Sequence, residues 1–212
     1  MTSSGDLNQM RDAPLEYYRD KFRGLDPEDA EKRTSLEFDA VSGRFRLDLL
    51  GRTIYADWPE FRLAPADVAR CPESLLGFQM QVLVLRFLIA GAGEPSRGGF
   101  KAYRELPWGE LYDANFQGRC IKRFAYSFGY KTDRFEKAAE LLGGIRLDLG
   151  DISYDLPFFG SVICRLILWA PDDEFPPSAQ ILFSDNTPLA FNAEDLAVVG
   201  DVIISALKEA SL

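Results

Sequence analysis

The stretch Val162–Phe183, VICRLILWAPDDEFPPSAQILF, decides the fold. On Val162–Trp169, Val162, Cys164, Leu166 and Leu168 alternate with Ile163, Arg165, Ile167 and Trp169. Both faces are apolar apart from Arg165, the pattern of a central strand covered on both sides. Pro171 then fixes φ, the carboxylates Asp172, Asp173 and Glu174 follow, and Pro176-Pro177 stops any continuation. Gln180–Ser184 returns as the neighbouring strand.

Working outward, Asn192 before Ala193-Glu194-Asp195 is a capped start for a last helix, with Leu196, Val199, Ile203 and Leu207 as its core stripe. Ile145–Leu149 and Ile152–Leu156 read as short strands around Gly150. Leu36–Ala40, Arg44–Leu50 and Arg52–Trp58, joined at Ser42-Gly43 and Gly51, read as an antiparallel meander. Phe45, Leu47 and Leu49 alternate there with Arg44, Arg46 and Asp48, so one face of it is wet. Helices are expected over Pro14–Phe22, from Asp26-Pro27-Glu28-Asp29 to Arg33, over Gly109–Phe128, and from Thr132 to Gly143-Gly144.

Pro72–Ala90 is apolar nearly all round, which marks a buried central helix. Gln79, Gln81 and Arg86 interrupt it too often for a membrane span. These elements predict an α+β fold: a mostly antiparallel sheet of about six or seven strands packed against that central helix and several peripheral ones. Met1–Asp12 is a polar, flexible start, and residues 13–212 form a single domain.

Composition narrows the chemistry. The 212 residues contain no histidine, which removes Ser-His-Asp and Cys-His catalysis, His-ligated zinc and His-ligated haem. Cys71, Cys120 and Cys164 are odd in number and widely spaced, so no disulfide framework is expected. With no signal-like N-terminus, the expected setting is cytoplasmic. A net charge of −9 disfavours nucleic acid and anionic membranes as partners. The charge is uneven: Arg97–Lys137 carries nine basic and five acidic side chains.

That basic segment also holds the densest run of aromatics. Trp108, Tyr112, Arg119, Lys122 and Arg123 form the first candidate site, stacking surfaces beside a cationic patch for a small anionic ligand. The second is Asp172, Asp173 and Glu174, where clustered oxygens suit Mg²⁺ or Ca²⁺, with Asp185 as a further ligand. Cys120, between Arg119 and Lys122, is placed for a lowered thiol pKa, and Tyr103 with Glu105 for proton transfer. Gly91–Gly99, GAGEPSRGG, follows a helix and lacks the third glycine of a dinucleotide fingerprint, so it reads as a helix terminator and surface loop.

Several features recur together at fixed spacing. They include the Phe78–Ala90 helix with its glycine-rich loop, Tyr103-Arg104-Glu105-Leu106-Pro107, Phe128-Gly129 and Leu142-Gly143-Gly144. Leu168-Trp169, Asp173-Glu174-Phe175-Pro176, Leu182-Phe183 and Glu194-Asp195-Leu196 complete the set. In these the chain resembles a prokaryotic family, domain of unknown function 3786, from about Leu36 to Leu207. The resemblance implies a protein of anaerobic bacteria or archaea. Some members carry an iron–sulfur segment; this chain has no Cys-x-x-Cys, so no cofactor is expected. The family's Asp after Leu-Phe is displaced here by Ser184 to Asp185. The resulting expectation is a non-catalytic module binding a small anionic ligand or a protein partner. The alternative is a carboxylate-based, metal-dependent enzyme at Asp172–Glu174.

Overall fold

The computed structural model describes residues 15–212; the stretch over residues 1–12 that was expected to be flexible lies outside them. A helix over 15–23 (α1) and α2 (Pro27–Thr34) lead into β1 (Phe38–Asp39), β2 (Arg44–Leu49), β3 (Arg52–Asp57) and β4 (Leu63–Pro65). After α3 (Phe78–Ala90) come β5 (Phe100–Ala102), a 3-10 turn at Tyr103–Glu105 and α4 (Gly109–Phe116). A π-helical turn, Gln117–Lys122, joins α4 to α5 (Arg123–Phe128), followed by α6 (Thr132–Leu141). Then follow β6 (Ile145–Leu147), β7 (Ile152–Phe159), β8 (Val162–Trp169), β9 (Ser178–Ser184), α7 (Thr187–Ala190) and α8 (Ala193–Ala210).

The fold is α+β, but the strands form two antiparallel sheets rather than one. β1-β2-β3-β4 make the first, and β5-β9-β8-β7-β6 the second. Alternation along a strand reveals its faces and says nothing about which edges meet. The two-residue β1 and three-residue β4 are too short for a periodic signal. The sheets touch where Leu50 N donates to Pro157 O at 3.0 Å, and one apolar cluster runs through both.

β8 is the middle strand of the larger sheet, as its two apolar faces required. Val162, Cys164, Leu166 and Leu168 are fully buried. Arg165, the one charge on the other face, lies opposite Asp155 of β7 and grips it twice, at 2.8 and 2.9 Å. Its guanidinium also sits 3.7 Å over the Phe100 ring. A bidentate, stacked pair of this kind is what lets arginine occupy an inner strand.

The central helix is α8, not α3. α3 buries Met80, Leu83, Val84, Leu85, Phe87 and Leu88, while Phe78 and Gln79 are exposed. It also breaks at Gly77 from a 3-10 turn at Glu73–Leu75, so the expected Pro72–Ala90 helix is two pieces. Glu73–Ala90 is, among the described residues, the one helical stretch long and apolar enough to cross a membrane; here its apolar face lies in the core. α8 packs against α3, α4, the π turn, α5 and α6, and buries eleven of its residues. Its apolar stripe is narrower in the sequence because Gly200 and Asp201 lie within it.

Helix ends follow the sequence closely. Asp26 Oδ1 accepts from Glu28 N at 2.9 Å, with Pro27 opening α2. Asn192 Oδ1 accepts from Asp195 N at 2.9 Å, and Asp195 in turn accepts from Asn192 N, a reciprocal cap on α8. Asp195 is buried and pairs with Arg86 of α3 at 2.9 Å. The C-terminal end of α3 is closed by Arg33 of α2, which donates to the carbonyls of Gly91 and Leu88. A cation at a helix C-terminus suits the dipole, and burial there lowers the Arg33 pKa.

The glycine-rich loop is a strap rather than a loose surface loop. Ala92 N donates to Leu189 O, and Gly93 N to Arg33 O. Glu94 O accepts from Asn186 and Ser161 at 2.7 Å each. Asp185 accepts from Ser96 Oγ at 2.7 Å and Arg97 N at 3.0 Å, bonds led by Ser96 that hold its carboxyl below the usual range.

A Cβ on Gly93 would fall 1.8 Å from Thr34 O, whereas one on Gly118 meets nothing within 4 Å. Urea denaturation should therefore show Gly93→Ala losing about 1–3 kcal/mol through overpacking. Gly118→Ala, in a helical turn, should gain up to about 1 kcal/mol. The Asp195 pair gives a signed pH effect. Burial raises its folded pKa above the ordinary 3.8, against the opposing pull of Arg86. Its contribution is then complete below the unfolded pKa and declines as pH rises through the folded one. From roughly pH 3 to pH 7, Asp195→Asn should gain stability relative to the parent as pH rises, measured by chemical denaturation.

Candidate functional site

Phe116, Cys120, Phe124 and Phe128 are all buried and recur every four residues. On an α-helix of 3.6 residues per turn, such a line rotates by about 40° per step. The wider π turn at Gln117–Lys122 takes that rotation back and keeps the line facing the core. Gly200 of α8 makes room for it: a Cβ there would lie 2.8 Å from Cys120 Sγ. One residue on, Asp201 accepts from Arg119 and, at 3.1 Å, from Arg123, while Arg123 also donates to Ser205 Oγ at 2.9 Å. Two arginines four residues apart are thus drawn onto one buried carboxylate.

The distorted helix packs on β9 through Phe116, and beside that contact a cleft of about 400 Å³ opens between it, the 3-10 turn and β9. Phe116, Ile121 and Leu182 give it apolar walls; Arg104, Gln117 and Gln180 add polar groups, and Glu105 and Asp113 add two carboxylates. That volume and mixture are usual for a ligand site, and π turns recur at functional sites. Arg104 is exposed and forms no ion pair among the described residues. A hollow of about 750 Å³ around Cys71 is larger, but its walls include the solvent-exposed chain end at Leu212.

The groups nearest the cleft with reactive side chains are held in structural roles. Tyr103 stacks on Phe116 at 4.1 Å and 5°, and its hydroxyl donates to Ala193 O at 2.7 Å. Burial pushes its pKa up to about 12. Glu105 accepts from Ala102 N at 2.7 Å and closes the 3-10 turn, so the two do not form a proton-transfer pair. Burial likewise raises the Cys120 thiol to about 12, outweighing the lowering pull of Arg119 and Arg123, and Lys122 has no part in it.

The first candidate set is dispersed. Arg119 and Arg123 are committed to Asp201, and Lys122 points to solvent. Trp108 is 75% exposed with a left-handed φ of 66° at the start of α4. Tyr112 is one turn further along, beside exposed Leu111, and neither Trp108 nor Tyr112 lines the cleft. Of the other aromatics in the segment, Tyr103, Phe116, Phe124 and Phe128 are core.

The acidic turn is organised by its own backbone. Asp172 Oδ1 accepts from Glu174 N at 2.9 Å and Phe175 N at 2.7 Å, and Asp172 N donates to Phe175 O. Asp173 and Glu174 are exposed. Asp185 lies beyond the far end of β9, more than about 20 Å of strand away, and cannot join them. Among the described residues no group of three or more Cys, Asp or Glu side chains is placed to hold a metal ion. Pro177 packs against Gly129 at the end of α5 and anchors the turn.

Asp201, Gln117, Ile121 and Gln180 were not singled out from the sequence. Asp201 left a signal, as a lone carboxylate inside the apolar run Ala197–Ala206 of a helix. The other three left none, because a cleft wall needs the packing of distant elements.

These features define an α+β protein with a cleft between a sheet edge and a π-distorted helix. The chain belongs to the family described as Domain of unknown function (DUF3786), whose model matches residues 26–206. No curated protein and no solved structure was found to match it.

Asp201→Ala should cost about 1–3 kcal/mol by chemical denaturation, since two partly exposed arginines lose a buried partner. Asp172→Ala should lower the Tm by roughly 2–4 °C, and Asp173→Ala or Glu174→Ala by less than about 1 °C.

Proposed function

We propose that this chain is a non-catalytic binding module, with the cleft beside β9 as its site. The observation that carries this reading is the composition of the cleft. An apolar wall converges with Arg104, Gln117 and Gln180, while the neighbouring Tyr103, Glu105 and Cys120 are fixed in packing and backbone bonds. Arg104 gives the site a cation able to pair with an acidic ligand group, while Glu105 and Asp113 set two carboxylates in the same cleft, so a ligand with a single acidic group fits better than a polyanion. Three unpaired cysteines support a reducing, cytoplasmic setting. A role in anaerobic prokaryotic metabolism rests on the family resemblance.

The rival reading, a metal-dependent enzyme at Asp172–Glu174, has less behind it, because Asp172 is spent on the turn and no further ligand converges there.

Thermal denaturation of the full chain separates the two. Against a panel of carboxylates, phosphates and nucleotides, a cleft ligand should raise the Tm by roughly 5–10 °C at a hundred times its Kd. Ile121→Trp, which fills the cleft, should abolish the rise, and Arg104→Glu should weaken it for anions. Mg²⁺, Ca²⁺ and Mn²⁺ should leave the Tm unchanged. A rise with one of these ions that Asp173→Asn removes would overturn the binding-module reading in favour of the enzyme.

A further inference from the structure

The wall of the cleft formed by β9 is an open sheet edge. In an antiparallel ladder, successive residues turn their peptide groups to alternate sides. Asp185 N donates to Gly99 O at 2.9 Å, and Phe183 lies opposite Lys101. Odd-numbered residues of β9 therefore address the β5 side. Ile181 and Ala179 continue that series, but β5 ends at Ala102, opposite Leu182, and the chain leaves in the 3-10 turn. On its other side β9 stays paired with β8 as far as Ser178, opposite Trp169. Ala179 thus turns its N–H and C=O toward the cleft, and among the described residues it makes no backbone bond there.

Among the other edges, β5, itself at the sheet's end, has three residues, and the part of β2 beyond β1 is held at Arg46 N by Glu37 O and past its end at Leu50 N by Pro157 O. β1, β4 and β6 have two or three residues each, and the part of β7 beyond β6 receives the bond from Leu50. Short edge strands of this kind prevent unwanted pairing. Ser178–Ile181 is different: about 13 Å of edge with its ladder unfinished.

We propose that Ser178–Ile181 is a strand-acceptor site, at which an extended peptide segment of a partner protein adds to the sheet in line with β5. This rests on the cleft being the binding site, and it names the occupant. Alternating side chains of such a segment meet different surroundings. One set faces Phe116 and Ile121 and suits an apolar residue; the other faces outward beside Gln180. Arg104, at the end where β5 stops, can pair with one acidic residue, and Glu105 and Asp113 beside it disfavour a second. The edge is also recessed. The 3-10 turn and α4 flank it at one end, and Pro177 against Gly129 closes the other. Flanked at both ends, the edge suits one inserted strand better than the sheet edge of a second copy.

The test uses the full chain and defined peptides. A displayed library of random seven-residue peptides is selected on the immobilised protein, and the recovered sequences are synthesised and titrated by calorimetry. Ala179→Pro removes the N–H that points at the cleft and leaves the ladder to β8 intact, a position where an edge strand tolerates proline. Binding should fall at least ten-fold in Ala179→Pro with the Tm preserved. Independently of any variant, N-methylation of the peptide at alternate residues should weaken binding at least ten-fold, and at the intervening residues should not.

Equal binding to Ala179→Pro, or equal tolerance of methylation at every position, overturns the proposal. A concentration-dependent dimer that Ala179→Pro dissolves overturns it in favour of a second copy at the edge. If small anions bind and Ile121→Trp abolishes that binding while no peptide is recovered, the strand-acceptor proposal fails and the cleft survives. If recovered ligands bind Ile121→Trp undiminished, the cleft itself fails.

Discussion

A carboxylate in the middle of an apolar helix has to be neutralised where it stands, and Asp201 of α8 sets that requirement here. Both of its partners come from the helix that crosses α8, Arg119 and Arg123. Gly200 beside it removes the side chain that would keep the crossing helix away. Close approach and double pairing together fix one rotation of the π turn against α8. With that rotation set, Phe116 lies against Tyr103 and Phe183, so helix, 3-10 turn and sheet are positioned as one assembly. Electrostatic need and steric permission occupy adjacent residues of one helix.

The cleft is a consequence of this arrangement. A regular α-helix across Gln117–Lys122 would carry Ile121 and Gln117 to another angle relative to β9. β5 would add a further strand residue or two if the chain did not turn at Tyr103. It turns because Tyr103 serves the core, with its ring on Phe116 and its hydroxyl on the first residue of α8. One side chain thereby ends the edge strand and anchors the helix opposite it. The sheet edge is left open by the same contacts that stabilise the core around it.

Much of this architecture was legible in local signals. The caps at Asp26 and Asn192, the glycine stop after α6, and the alternation along β2 and β8 were all readable, because each depends on residues within a few positions of one another. What escaped depends on distant partners. The division into two sheets leaves no local mark, since Leu50 and Pro157 meet only in three dimensions. α3 is the most apolar run, yet burial follows position, and α8 packs against more elements despite its acid. The glycine-rich loop was understood as non-nucleotide-binding, but its role as a strap depends on Asp185 and Asn186, ninety residues downstream.

The basic, aromatic segment shows how the fold uses charges that lie close together in sequence. A surplus of positive charge along a sequence marks a ligand patch only if the charges remain unpaired in the fold. Here Arg119 and Arg123 answer a carboxylate eighty residues away, and the most regular aromatic spacing, Phe116, Phe124 and Phe128, belongs to the core. Arg104, which the local pattern did not distinguish, is the cation left at the cleft. In the acidic turn, of three adjacent carboxylates one caps the turn and two face water. Val162–Phe183 contributes one wall of the cleft through its last strand. β8 holds β9 along its whole length, and that support keeps Ser178–Ile181 extended at the edge of the cleft without a strand beyond it.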